Sequence, residues 1–320
     1  MRTVTTVSGD ISPDDLGFCQ SHEHVCITRG RSAEINPDLL IDDETKSAEE
    51  LRVYFSKGGR AIVDAQPIGC GRDARFLENV SRVSGVHIVA STGFHRMIFY
   101  PDDHWIWGAP EDALAQIFIS ELTDGMYVNC DEAPPREKTT ARAGQIKTAL
   151  DTKAAQELDA QYKKLFRAAA QAAKTTGRAL MAHIERGSNP IALAEFLQTE
   201  GVPPAKIIFC HMDRAADDLG IHREICSMGI FLEYDTICRP KYHDDGREAE
   251  ITASMTSAGF EDNILMGLDT TRARLRAYGG APGLNYILEE FIPFLETRGV
   301  TQGQVRKFFV DNPARAFAWG

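Results

Sequence analysis

Cysteine, histidine and tryptophan are scarce in this 320-residue chain, with seven, nine and three residues respectively. The cysteines (Cys19, Cys26, Cys70, Cys130, Cys210, Cys226 and Cys238) are odd in number and form no CxxC pair. That argues against a disulfide framework or a structural zinc knuckle and for reduced, mostly buried thiols. No run approaches the roughly 18 apolar residues that span a bilayer. Positive charge is in deficit, with 35 Lys and Arg against 46 Asp and Glu and a net charge of −11. An acidic chain is a poor partner for nucleic acid or an anionic membrane, so neither is expected. The opening residues MRTVTTVSGD hold no apolar core of a secretion signal, and a cytoplasmic location is expected. Repeats at solenoid periods, low-complexity tracts and Pro/Gly/Ser linkers are also missing, which predicts one domain over residues 1–320.

What is present is an alternation. Short apolar runs at 18–27, 60–66, 86–92, 143–149, 179–184, 206–211, 229–235 and 263–269 are separated by amphipathic stretches. The clearest of these, 153–176, repeats Leu158, Tyr162, Leu165, Phe166, Ala169, Ala172 and Ala173 at helical spacing and ends at Gly177, a C-cap glycine. Eight such units with apolar strands predict an α/β protein of the (β/α)8 TIM-barrel class. The aromatic and charged stretch 93–142 is too long for a simple connection and is expected to form a helical excursion or lid.

In such barrels the chemistry gathers at the C-terminal ends of the strands. Strand 1 carries SHEHV (21–25), in which alternation puts His22 and His24 on one face and Glu23 on the other, where it braces the barrel. Strand 4 carries Lys147, strands 5 and 6 end in His183 and His211, and strand 8 ends in Asp269. Four histidines and an aspartate exceed the needs of one tetrahedral zinc that keeps a water, and they suit two divalent ions sharing a hydroxide. Such a pair needs a bridging anion, yet strand 4 ends in no carboxylate. Lys147, inside an apolar run, can supply one by reacting with carbon dioxide to form a carbamate. Alternation turns Cys210 away from the His211 face, as a buried thiol. His87, His95, His104, His222 and His243 read as structural or surface residues, with His95 and His243 as secondary pocket candidates.

These motifs resemble the phosphotriesterase family of the amidohydrolase superfamily over essentially the whole chain. The resemblance rests on GFCQSHEH (17–24), DAQPIGCGRD (64–73), STGFH (91–95), GQIKTALD (144–151), MAHIERG (181–187), FCHMDRAADDL (209–219), MGLDTTR (266–272) and FFVDNPARAF (308–317). It implies that His22, His24 and Asp269 hold the more buried metal, that His183 and His211 hold the more exposed one, and that carboxylated Lys147 bridges them. Zn2+ is the expected metal, with Mn2+ or Co2+ as alternatives. The implied activity is hydrolysis by a metal-bridging hydroxide, with Asp269 as the catalytic acid/base.

Two departures bear on the substrate. The family's usual Gly-x-Thr-aliphatic before HxH is Gly17-Phe18-Cys19-Gln20 here, and TTRARLRAYGGAPGL after Asp269 is unlike the organophosphate-degrading members. It is closer to the branch that resembles sugar-lactone and phosphorylated sugar-lactone hydrolases. In that branch a lysine after strand 7 and an arginine three residues after the strand-8 aspartate hold phosphate, positions matched by Lys241 and Arg272. A tyrosine also used there is Leu275 here. With Arg239, these cations predict a small, anionic, possibly phosphorylated lactone as substrate. Tyr100, in the aromatic loop FYPDDHWIW (99–107), is expected in the pocket wall. Phosphotriester or carboxylester hydrolysis, or an amidase acting on N-acyl compounds, are the alternatives. A barrel retained only for binding would have lost a ligand, and none is missing. A homodimer is implied by the resemblance alone.

Overall fold

The computed structural model describes residues 2–151 and 158–320. Eight parallel strands occur where the apolar runs predict them. They are β1 (Cys19–Glu23), β2 (Ala61–Asp64), β3 (His87–Val89, continuing as Ser91–Gly93), β4 (Gln145–Leu150), β5 (Leu180–Ile184), β6 (Ile207–Cys210), β7 (Phe231–Tyr234) and β8 (Ile264–Met266). Hydrogen bonding runs in order from β1 to the first half of β3, and from its second half to β8. The ring closes where the backbone N–H of Asp269 donates to the carbonyl of His22 at 3.0 Å. Gly267 permits this closure, because a Cβ there would lie 2.7 Å from the His22 carbonyl oxygen. The observed architecture is therefore the predicted (β/α)8 barrel.

Cys19, Val63, Val89, Met181, Ile208 and Leu265 pack inside the ring in a cluster that also takes in Val4 and Phe317. An antiparallel hairpin (Val4–Thr6 with Gly9–Ile11) supplies Val4 and the terminal helix Asn312–Phe317 supplies Phe317. Between strands and helices a larger layer includes Ile62, Ile146, Leu180, Phe209 and Leu232. Adjacent strand residues thus bury opposite faces, which is why the strands read as continuous apolar runs.

The longer helices among the described residues are α1 (Glu44–Ser56), α2 (Ala74–Ser84), α3 (Glu111–Thr123), α4 (Ala160–Thr176), α5 (Pro190–Thr199), α6 (Leu219–Ser227) and α7 (Asp245–Ser257), and Ile287–Phe291 and Ile292–Thr297 follow β8. Asp159 caps α4 by accepting from the Tyr162 N–H, and Gly177 ends it with φ 68°. The part of the expected helix from 153 to 157 lies outside the described residues. The stretch 93–142 holds a short turn at Met97–Phe99, the helix Trp105–Gly108 and then α3, the regular crossover from β3 to β4. Its length comes from carrying loop and barrel helix together. Among the described residues no helix is long and apolar enough to cross a membrane.

Candidate metal centre

Strand β1 does not deliver its histidines by simple alternation. Gln20 pairs with Ile62 but Glu23 pairs with Asp64, so β1 spends one residue more than β2 over the same span. This bulge reverses the phase after Cys19, and both Cys19 and the pair His22/His24 face inward. Glu23 faces out, where its Oε1 accepts from the Leu268 N–H at 2.8 Å and joins β1 to the end of β8. Burial pushes the Glu23 carboxyl up to about 8, so it is neutral at pH 7.

His211 and Asp269 both adopt left-handed backbone, with φ 65° and 47°. Non-glycine residues pay about 1–3 kcal/mol for such conformations, which cluster at functional sites. His211 is held there by Asp235, which accepts from its backbone N–H at 3.1 Å and from Nδ1 at 2.6 Å. Asp269 is held by its N–H bond to His22 and by Arg239 Nη2, which donates to its carbonyl at 2.9 Å.

The left-handed turn at His211 also corrects the reading of Cys210. Cys210 faces into the barrel, with Sγ 3.4 Å from Lys147 Nζ. His211 reaches the same side only because its backbone breaks the alternation.

The expected ligands converge. His22 Nε2 lies 3.7 Å and His24 Nε2 3.6 Å from Asp269 Oδ1. Lys147, fully buried, places Nζ 3.3 Å from His22 Nε2. The His211 ring centroid lies 4.8 Å from that of His22 and 4.4 Å from that of His183.

Carboxylates behind the rings orient them. Asp235 Oδ2 and Glu233 Oε2 lie 3.2 and 3.0 Å from His22 Nδ1, and Glu185 Oε2 lies 3.3 Å from His183 Nε2. Burial alone would raise Asp235, but His211 and His22 hold it far below the usual range, so it is ionised and only accepts. The rings it holds therefore carry hydrogen on Nδ1 and present the Nε2 lone pair inward. Burial, with the Lys147 amine as the second cause, lowers His22 to about 4. Burial and Arg214 lower His211 to about 3, and burial and His211 take His183 well below its ordinary value.

This donor set fits divalent metal. The His22, His183 and His211 rings are neutral at pH 7, as ligands must be. The 3.6–3.7 Å separations are too long for hydrogen bonds but close to the ~3.4 Å between neighbouring donors on a tetrahedral zinc. His22, His24 and Asp269 form one candidate group and His22, Cys210, His211 and Asp235 another.

A cavity of about 460 Å³ opens above this cluster, lined among others by His95, Arg96, Arg214, Arg239, Lys241 and Tyr242. Arg239 and Lys241 thus stand where the loop after β7 was expected to bring them. Arg272 lies outside the lining, with Nη1 3.5 Å from the Leu40 carbonyl and its guanidinium over the Tyr278 ring. Tyr100 is buried beside the cavity, where its hydroxyl accepts from the His95 N–H at 2.9 Å. His95 reaches the cavity and His243 does not; the latter sits 2.7 Å from Glu248. Burial would raise Asp269, but Arg239 above all holds it well below the usual range.

Sequence reasoning passed over Glu185, Glu233, Arg96 and Arg214. Two signals were available. LEYD (232–235) sets two acids two residues apart in an apolar strand, the same inward pattern as HxH, and Glu185 follows His183 by two.

Comparison with known proteins places the whole chain in one family. The model of the phosphotriesterase family matches residues 2–317. A phospho-furanose lactonase of Mycoplasmopsis agalactiae is 30% identical, over 99% of this chain and 92% of that protein. An N-acetyltaurine hydrolase of Danio rerio is 27% identical, over 98% of this chain and 97% of its own. Among solved structures, a lactonase from Listeria monocytogenes superimposes with a TM-score of 0.88 at 29% identity, covering 99% of both chains. An amidohydrolase from Mycoplasma synoviae gives a TM-score of 0.93 at 26% identity, covering 100% of this chain and 92% of that one.

Proposed function

This chain belongs to the phosphotriesterase family, and from that premise we propose that it is a binuclear metal-dependent lactonase that opens a small anionic lactone. The carrying observation is the convergence of His22, His24, Lys147, His183, His211 and Asp269 on one cavity floor, in a chain 30% identical to a phospho-furanose lactonase. His22, His24 and Asp269 would hold one ion, His183 and His211 the other, and Lys147, carboxylated by carbon dioxide, would bridge them. Zn2+ suits these imidazole and carboxylate donors, and Mn2+ or Co2+ would fit the same set. When bound, such a pair lowers the pKa of water and polarises a carbonyl.

The chain's own residues do the rest. Asp269 presents Oδ1 toward His22 and His24, while its Oδ2 is taken by Arg239 and Arg214. From that position the carboxylate receives a proton as water adds to the ring carbonyl carbon and returns it to the ring oxygen as the ring C–O bond breaks. Asp235, Glu233 and Glu185 hold the imidazoles so that their lone pairs stay aimed. Arg214, Arg239 and Lys241 make the wall cationic in an otherwise acidic protein, which favours an anionic substrate.

The test is a rate comparison on the metal-loaded protein across phosphorylated and unphosphorylated aldonolactones, aryl esters, N-acyl amino acids and phosphotriesters. Ring opening of lactones should dominate. Hydrolysis of N-acyl compounds in preference to every lactone would replace this reading with the amidase one. Asp269→Asn and His183→Ala should each reduce turnover by orders of magnitude in a folded protein.

A further inference from the structure

A further group of metal-type donors stands outside the cavity, behind the loop that follows β7. One carboxylate oxygen each from Asp213 and Glu248 and an imidazole nitrogen of His243 lie within 4.8 Å of one another. None of the three residues lines the cavity. They come from separate segments: Asp213 from the short helix Met212–Ala215 after β6, His243 from the loop after β7, and Glu248 from the first turn of α7.

Asp213 and Glu248 are buried, 4% and 0% exposed. Asp213 Oδ2 accepts from the Thr236 N–H at 2.6 Å, and Glu248 Oε2 lies 2.7 Å from His243 Nε2. The two carboxyl groups face each other, and their remaining oxygens, Asp213 Oδ1 and Glu248 Oε1, meet no donor outside the pair among the described residues. The cations nearby are committed elsewhere: Arg247 pairs with Glu250 at 3.4 Å and Arg214 with Asp269 at 3.3 Å. Asp235 and Asp245 add negative charge around Glu248. Their own oxygens are occupied, by His211 and His22 for Asp235 and by the Cys238 N–H and the Tyr286 hydroxyl for Asp245.

Two carboxylates buried face to face cannot both be ionised unless a cation lies between them. One shared proton leaves a net negative charge in place, beside an imidazole that burial shifts away from its charged form and two more carboxylates. A divalent cation cancels both charges and takes the imidazole as a third ligand. Oxygen and imidazole donors together suit Zn2+ or Mn2+.

We propose that Asp213, His243 and Glu248 bind a divalent cation at a structural site separate from the binuclear centre. Binding releases to solvent the proton that the acid pair otherwise shares, and His243 presents the Nε2 lone pair with its hydrogen on Nδ1. His243, with its side chain 13% exposed, is the side from which the ion enters. The ion ties the loop after β7 to the turn after β6 and to α7. Arg239, Lys241 and Tyr242 of that loop line the cavity, so this site holds one of its walls whatever substrate the cavity takes.

The experiment loads full-length wild type, Glu248→Gln and His243→Gln with Mn2+ or Zn2+, removes free metal by desalting, and counts metal per chain by mass spectrometry. Wild type should carry about one equivalent more than either variant. In the Mn2+ proteins, electron paramagnetic resonance should show the six-line signal of an isolated ion in wild type and lose it in both variants. Glu248→Gln keeps the side-chain shape, and circular dichroism checks its fold; should it unfold, His243→Gln at its partly exposed position decides alone. Equal metal content in all three proteins, with or without an isolated-ion signal in wild type, overturns the proposal, and Asp213 and Glu248 then share a proton only. Loss of every bound ion in a folded variant overturns it too, because these residues would then serve the binuclear centre. His183→Ala should disturb that centre and keep the isolated ion. A wild-type protein that holds this ion alone would sink the binuclear reading and keep the site.

Discussion

Asp235 is the most exacting test of the centre, because one buried carboxylate serves two of the proposed ligands. It accepts from His211 Nδ1 at 2.6 Å, from the His211 N–H at 3.1 Å and lies 3.2 Å from His22 Nδ1. Asp235→Asn keeps the volume but replaces one acceptor oxygen with an N–H donor. If the amide oxygen stays on His211 Nδ1, the new NH2 group faces the His211 N–H and His22 Nδ1–H, donor against donor. If it is turned, His211 Nδ1 faces the donor. Either way one ring is driven to the Nε2–H tautomer and withdraws its inward lone pair. A hydrogen bond to a charged group contributes about 1.5–3 kcal/mol, or roughly ten- to 150-fold. Changes behind metal-ligating histidines cost about 10–100-fold in metal affinity. One ring is lost in either orientation, so a loss within this range, of at least about tenfold, is expected. Chelator competition on wild type and variant, with circular dichroism to confirm folding, reads this directly. A folded Asp235→Asn protein whose metal affinity stays within about threefold of wild type would refute the orientation argument.

Three further outcomes follow from buried charge. His22 falls from 6.5 to about 4, so the metal-free native state binds fewer protons than the unfolded chain within that window; its stability should drop as pH falls through it, by about 3 kcal/mol from this residue. Denaturant unfolding of the metal-free protein at pH 7 and 4 measures this, and His22→Asn should flatten the slope. Glu23 behaves with the opposite sign: raised from 4.5 to about 8, it contributes stability that is lost as pH rises through that range. Because it is neutral at pH 7, Glu23→Gln should cost less than about 1 kcal/mol there, whereas Glu23→Ala, which strands the Leu268 N–H, should cost about 1–3 kcal/mol. Arg72, from the 64–73 motif, holds buried Glu121 of α3 through two hydrogen bonds at 2.8 and 2.7 Å. Arg72→Met should destabilise by about 3–5 kcal/mol by leaving that carboxylate unpaired, and adding Glu121→Leu should recover most of the loss. Equal instability of single and double variants in urea would contradict this.

Much of the architecture was legible in the chain because its cause is local. Strands buried on both faces must be apolar throughout, so eight runs marked eight strands, and the polar residues ending them stood out as candidate ligands. The capping of α4 by Asp159 and Gly177 is equally local. Where the reading stopped, the deciding contact joined distant segments. Arg272 and Arg214 are both cations a few residues beyond a strand, and nothing in their spacing shows that Arg272 turns to the Leu40 carbonyl while Arg214 reaches the cavity.

By itself, then, the sequence determined the barrel, its eight strands and which residues stand at their ends, since periodicity and burial act along the chain. The tertiary structure decided which way those residues point. The β1 bulge turns His22 and His24 inward behind Cys19, and left-handed backbone at His211, clamped by Asp235, brings that ring to the side where Cys210 already meets Lys147. Both depend on register and on a partner more than twenty residues away. Strained backbone and a bulge persist only where neighbouring strands over-determine them, and that information exists only in the closed barrel.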